Sequence, residues 1–158
     1  MNTDKEILFE RTYDAPLQAV WQAWTDPEML KQWWGPEGVT VPECELDVRM
    51  GGKIHIVMEG GDQMGQAKGM RWPMEGEFTT VEEATKLSYT AKSWVEGQQE
   101  ATEVDQTAEL NLSDESGKTK MQLKVTITKV GPNAGSAPEG MQWGYNQQFT
   151  KLEGFLAK

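Results

Sequence analysis

The chain has 158 residues and a formal net charge of −10, with an apolar fraction of 37% in which seven Trp and nine Met supply the bulk. That length suits one domain over residues 1–158 with a substantial hydrophobic core. The charge disfavours nucleic acid and anionic membrane surfaces as partners, since both need clustered Lys and Arg, and its plainest reading is solubility.

Ile7, Phe9, Arg11 and Tyr13 alternate with Leu8, Glu10 and Thr12, which predicts a first strand. The stretch from Ala15 to Pro36, APLQAVWQAWTDPEMLKQWWGP, changes period. Val20, Trp21, Trp24, Leu30, Trp33 and Trp34 recur three and four apart, as on a helix face. Pro16 suits a first helical turn, with Asp14 as a candidate cap. Asp26-Pro27 breaks the run and starts a second short helix, which Gly35-Pro36 stops. Exposed tryptophans of that second helix could form the face of a homodimer.

Val39 to Met50 reads as a strand, with Pro42 tolerated only at a sheet edge. Gly51-Gly52 marks a hairpin, and Ile54, Ile56 and Met58 alternate in the strand that follows. Gly60 to Pro73, rich in Gly and Met, lacks periodicity and is the candidate mobile segment or lid. Met74, Gly76, Phe78 and Thr80 alternate next, then Leu87, Tyr89 and Ala91 after a turn. Val104 to Leu112 and Met121 to Ile127 alternate most cleanly, around a turn over Ser113–Gly117. After a loop from Val130 to Pro138, Met141, Tyr145, Phe149, Leu152 and Leu156 form one face of a closing amphipathic helix. An antiparallel sheet with one apolar face must be covered, and this helix is the only long element available.

Three stretches carry a resemblance. "AP…VW.AWTDPE.L..WWGP" resembles the opening signature of bacterial proteins similar to the C-terminal domain of the activator of heat-shock protein 90 ATPase, a branch of the START/SRPBCC superfamily. Cys44, Glu45, Asp47, Arg49, Gly51 and Gly52 match a further family pattern, with Met50 where proline is usual. "KLSYT" and "GYNQQFTKLEGFL" resemble a later strand and the closing helix, with Tyr145 where tryptophan is common. The resemblance covers nearly the whole chain. It implies, as the element order does, an α+β helix-grip fold: a curved antiparallel sheet of about seven strands around a long C-terminal helix, with two short helices after strand one.

Catalytic signatures are sparse. Cys44 is the only cysteine and His55 the only histidine. They make no zinc site of ordinary type, and no nucleotide or nucleophile-elbow motif occurs, so neither a cofactor nor a metal is expected. A lone cysteine allows no internal disulfide and fits a reducing cytoplasm. The polar start MNTDKE opens no leader, and no run approaches membrane-spanning length, so a cytoplasmic location is expected. Asp47 and Arg49 share one face of their strand and read as a structural ion pair. Cys44 reads as a buried inert thiol rather than a nucleophile, and His55 as an exposed bystander rather than a base. Arg11, on the apolar phase of strand one, is either paired inside or lines a cavity.

What remains is apolar. Ile56, Met58, Met74, Phe78, Tyr89, Met121, Leu123, Met141, Tyr145 and Phe149 are inward candidates. Trp34, Trp72 and Trp94 could close a mouth, and Gln106 is a polar hook on an apolar phase. Individually these are core residues first. Together, with their flexible Met side chains, they suggest a pocket for a small hydrophobic or aromatic molecule between sheet and helix. The alternatives are a polyketide cyclase- or aromatase-like enzyme using Tyr89, Tyr145, Arg11 or His55, and an interaction domain acting on a chaperone ATPase. The last ranks lowest, because the eukaryotic activators carry a second, N-terminal domain with no counterpart here.

Overall fold

Alternation with a single apolar phase demands a one-sided sheet, and one sheet holds every strand. A computed structural model describes residues 5–135 and 137–157; the first four residues of the polar start, Ser136 of the expected 130–138 loop and Lys158 lie outside them. The elements run β1 (Lys5–Tyr13), α1 (Leu17–Thr25), α2 (Pro27–Leu30), β2 (Val39–Leu46), β3 (Lys53–Gly60), a 3-10 segment (Asp62–Ala67), β4 (Arg71–Glu82), β5 (Lys86–Ser93), α3 (Gln99–Thr102), β6 (Val104–Glu115), β7 (Lys118–Val130) and α4 (Ala137–Leu156). The seven strands are all antiparallel, in the order β1-β7-β6-β5-β4-β3-β2. With the C-terminal helix and the short helices after β1, this is the expected helix-grip architecture. Among the described residues no helix is long and apolar enough to cross a membrane.

Local chemistry explains the boundaries. Pro16, not Asp14, occupies the N-cap of α1, in extended conformation and with no side-chain cap. Asp26 caps α2 as expected: its Oδ1 accepts the Glu28 N–H at 2.9 Å, and Pro27 follows at the first helical position. That helix is a single turn. The segment through Trp34 continues it only through hydrogen bonds from Gln32 to Met29 and from Trp33 and Trp34 to Leu30. Gly35 then takes φ +87°, a value that favours glycine.

β2 ends at Leu46, four residues earlier than expected, because Asp47 N–H turns back to Lys53 O at 3.0 Å. Asp47 and Arg49 therefore pair at 2.8 Å within the turn, not along a strand face. A Cβ on Gly52 would lie 1.8 Å from Asp47 O, so this turn admits only glycine there. β2 is an edge strand, and its pairing shifts register between Thr40 and Glu43, around Pro42.

Two other expectations shift. β4 begins at Arg71, so the irregular connection shrinks to residues 61–70, part of it a 3-10 segment. A register shift between Phe78 and Thr80 then reverses the phase of β4, setting Val81 opposite Leu87.

The inner face of the sheet meets α4 and α1. Phe9 lies 5.3 Å from Tyr145 and 5.4 Å from Phe149 between ring centroids. Tyr13 donates to Phe149 O at 3.2 Å, and Arg11 donates to Asn146 O at 3.1 Å, so β1 is fastened to the middle of α4. The outer face is a lattice of cross-strand ion pairs: Lys53–Glu77, Lys86–Glu109, Lys92–Asp105 and Lys120–Glu10. Exposed pairs of this kind add only about 0–1 kcal/mol each, so stability rests on the inner face.

The two faces should respond differently to truncation. Leu110→Ala, at a fully buried inner position, should cost about 2–5 kcal/mol, whereas Leu8→Ala, on an outer side chain 71% exposed, should cost less than about 0.5 kcal/mol. Urea denaturation of the two variants measures both.

Candidate functional site

The inner face gathers residues from most of the chain. Trp24 from α1, Leu30 from α2 and Trp34 beyond it meet Leu46 of β2, Ile54 and Ile56 of β3, Met74 and Phe78 of β4, and Leu87 and Tyr89 of β5. Between them remains an apolar cavity of about 20 Å³, room for roughly one water molecule. Five of the ten lining residues were candidates from the sequence: Trp34, Ile56, Met74, Phe78 and Tyr89. The other five are side chains that periodicity identified only as core or not at all.

The remaining candidates lie elsewhere on the inner side or at its margins. Gln106, Met121, Leu123, Tyr145 and Phe149 are buried. Met58, Trp72, Trp94 and Met141 are half-buried. Trp33 and Trp34 are buried, so the exposed tryptophan face that could have served a dimer is not formed by them.

Polar groups in this interior are few. The Tyr145 hydroxyl donates to Gln106 Oε1 at 3.3 Å. Tyr89 adjoins Tyr145 closely enough for the two phenols to affect each other's ionisation. Yet no well-aligned hydrogen bond joins them, and the Tyr89 hydroxyl is buried without a partner. Trp24 Nε1 is likewise buried without one. Burial pushes the Tyr145 phenol up to about 12 and the Tyr89 phenol well above its ordinary value, so both keep their protons at neutral pH.

α4 also holds the segment after Trp34. Gln148 Oε1 accepts Gly35 N–H at 2.7 Å, and Gln147 Oε1 accepts Glu37 N–H at 2.8 Å. Lys151 Nζ donates to Gly35 O at 3.3 Å, and burial lowers its pKa. Gln148 Nε2 is a third buried polar atom without a partner. The loop from Trp34 to Glu37 is thus tied to α4 by hydrogen bonds from the side chains of α4, and Trp34 adds an aromatic contact with Tyr145 at 6.3 Å.

The groups considered for catalysis are dispersed. Cys44 is half-buried, and burial raises its thiol to about 11, so it is not a nucleophile at neutral pH. Arg11 serves α4, as described above. His55 lies on the outer face between two carboxylates: Nδ1 is 2.8 Å from Glu75 and Nε2 is 3.0 Å from Glu43. Arg71 bonds Glu43 at 3.2 Å and completes the cluster with Glu59. Among the described residues no group of three or more His, Cys, Asp or Glu could hold a metal ion. A wider depression of about 550 Å³ lies among Lys53, Glu77, Lys92 and Asp105 on the polar side of the sheet. Its charges already pair with one another, so it offers no free charged group to a ligand.

The outer cluster has a consequence for pH. The hydrogen bond to Glu43 raises the His55 pKa above 6.5; burial, the next largest effect, opposes it, and the hydrogen bond to Glu75 adds to the rise. The hydrogen bond from His55 lowers that of Glu43 below 4.5. A raised histidine pKa gives stability that is fully present below pH 6.5 and lost as pH rises through the folded-state value. His55→Gln should therefore lag the wild type most in the window between pH 4.5 and 6.5, and the gap should narrow at higher pH. Urea midpoints measured from pH 4.5 to well above pH 6.5 provide the check.

Comparison with known proteins supplies context. The family described as "Activator of Hsp90 ATPase homolog 1-like protein" matches residues 14–157. No curated protein sequence matches the chain. Among solved structures, protein NE0264 of Nitrosomonas europaea is similar at 26% identity and a TM-score of 0.74, covering 96% of this chain and 94% of its own. Protein Ms6760 of Mycobacterium smegmatis has 21% identity and a TM-score of 0.77 over 96% and 90% of the two chains. Protein CV1439 of Chromobacterium violaceum has 19% identity and a TM-score of 0.75 over 97% of each chain. At these last two identities the likeness concerns the fold.

Proposed function

The chain belongs to the Activator of Hsp90 ATPase homolog 1-like family, and on that premise we propose that it binds a small, mainly apolar molecule between the sheet and its helices. The observation that carries this reading is the cavity walled by Trp24, Trp34, Ile56, Met74, Phe78 and Tyr89, where aromatic packing otherwise closes the interior. Such a site is concave, apolar and served by few polar groups, which is the usual make-up of a small-molecule pocket.

At about 20 Å³ the cavity must widen to take a ligand. Met74 in the wall and the half-buried Met58 and Met141 are the side chains to yield, since methionine repacks at little cost. The connection over 61–70 buries no residue of its 3-10 segment and acts as the movable cover. An enzymatic reading of the cyclase or aromatase type takes second place. Its support is that Tyr89 and Tyr145 converge, but both phenols stay protonated and no general base stands beside them.

Thermal unfolding followed by tryptophan fluorescence, against fatty acids, flavonoids, sterols and aromatic polyketides, tests the proposal. A ligand specific for the folded state, present at a hundred times its dissociation constant, should add about 2.7 kcal/mol. A saturable upward shift for one chemical class is expected. A flat response across the panel would overturn the reading in favour of a self-filled core.

A further inference from the structure

The edge strand β2 is joined to the sheet along one side, where it pairs with β3. That pairing breaks between Thr40 and Glu43, and beyond the break Glu43, Cys44, Glu45 and Leu46 are all exposed or half-buried. A segment with so little buried surface sits at the low-stability end of a fold, where local opening is cheap. Its strongest outward attachment is Glu43, which reaches two further strands. One carboxylate oxygen lies 3.0 Å from His55 Nε2 on β3, and the other accepts from Arg71 Nη2 on β4 at 3.2 Å. His55 Nδ1 in turn lies 2.8 Å from Glu75 on β4. We propose that the Glu43–His55–Glu75 bridge is a proton-operated clasp, which holds residues Glu43–Leu46 of β2 against the sheet while the imidazole carries both protons and releases them when one is lost.

Hydrogen-bond stoichiometry sets the condition. A carboxylate only accepts, so a histidine with a carboxylate at each nitrogen needs two N–H groups, and only the imidazolium has them. Among the described residues the one ion pair of Glu75 is with His55, whereas Glu43 also has Arg71. The proton that remains on a neutral ring therefore stays at Nδ1, and the Nε2 lone pair faces the Glu43 carboxylate. The surrounding charges do not replace what is lost. Glu45 of β2 is opposite His55 in register, and Glu59 of β3 shares Arg71. Lys53 of β3 is paired with Glu77 of β4, and Lys92 of β5, opposite Glu75, is paired with Glu103 and Asp105. The raised pKa of His55 puts the release above pH 6.5. Leu46 lines the cavity, so release unseats one residue of its wall, but the clasp itself is independent of whether a ligand binds there.

Hydrogen–deuterium exchange of the ligand-free protein, read by mass spectrometry from about pH 6 to about pH 9 and corrected for the intrinsic pH dependence of exchange, tests the clasp. His55 is the only histidine, and burial holds the Cys44 thiol at about 11, so His55 is the side chain that changes charge in this span. The open population of Glu43–Leu46 should rise about threefold across it, as suits a partly exposed ion pair, while β6 and β7 stay unchanged. His55→Gln is neutral throughout and should show no such rise. Glu75→Gln offers an amide N–H to the bare Nδ1 and leaves the ring proton at Nε2 for Glu43, so its rise should be much smaller than that of the wild type. A flat response of β2 in the wild type, an equal rise in β6 and β7, or an undiminished rise in either variant would overturn the proposal.

Discussion

The layers of this fold are held together by aromatic rings in continuous contact. Trp24 lies 5.1 Å from Trp33 and 5.9 Å from Trp34, Trp34 lies 6.3 Å from Tyr145, and Tyr145 stacks on Phe149 at 5.7 Å. Phe9 of β1 touches both rings of α4. The chain of contacts runs from α1 through the α2 segment to α4 and down to the sheet edge. Each pair adds about 0.5–1.5 kcal/mol beyond the area it buries. That exceeds what the outer ion pairs supply, and it fixes where α4 lies. The cavity exists because this aromatic seam fills one side of the interior, while the smaller side chains of β3, β4 and β5 face the other.

Polar contacts complete the seam where the rings end. The Trp33 indole donates to Ala23 O at 3.0 Å and locks the corner between the two short helices. Gln147, Gln148 and Lys151 then hold the following loop against α4. The interior is thus walled on one side by indoles, and the loop that follows them is attached to α4 by a few side-chain hydrogen bonds.

Much of this was legible from the residues. β6 and β7 follow from strict alternation because one buried face makes a slip of one residue expensive. The corner at Asp26-Pro27 follows from capping chemistry. Pro42 pointed to an edge, and β2 is one. Other features had no local signal. The phase reversal near Thr79 comes from pairing with β5, and Met74, Gly76, Phe78 and Thr80 look like uninterrupted alternation. α3, four residues long, is held by hydrogen bonds near its C-terminal end, from Val95 N–H to Thr102 Oγ1 at 2.9 Å and from Asn133 N–H to Ala101 O at 2.7 Å. At the site, periodicity told which way side chains face but not how much space they leave. A void of about 20 Å³ is a small difference between large volumes. For the same reason Trp24 was readable as a core residue while the isolation of its N–H was not.

The clustering of three indoles has an optical consequence. Rings separated by 5.1–5.9 Å between centroids share their excitation before they emit. Light absorbed by Trp24, Trp33 or Trp34 therefore belongs to the group, whose asymmetric, mutually tilted arrangement also makes it a strong source of near-ultraviolet circular dichroism. Trp143, 59% exposed on the far side of α4, emits from water and can be quenched separately by a soluble agent. Among the seven tryptophans, the indole group thus reports from the wall of the cavity and Trp143 from the surface.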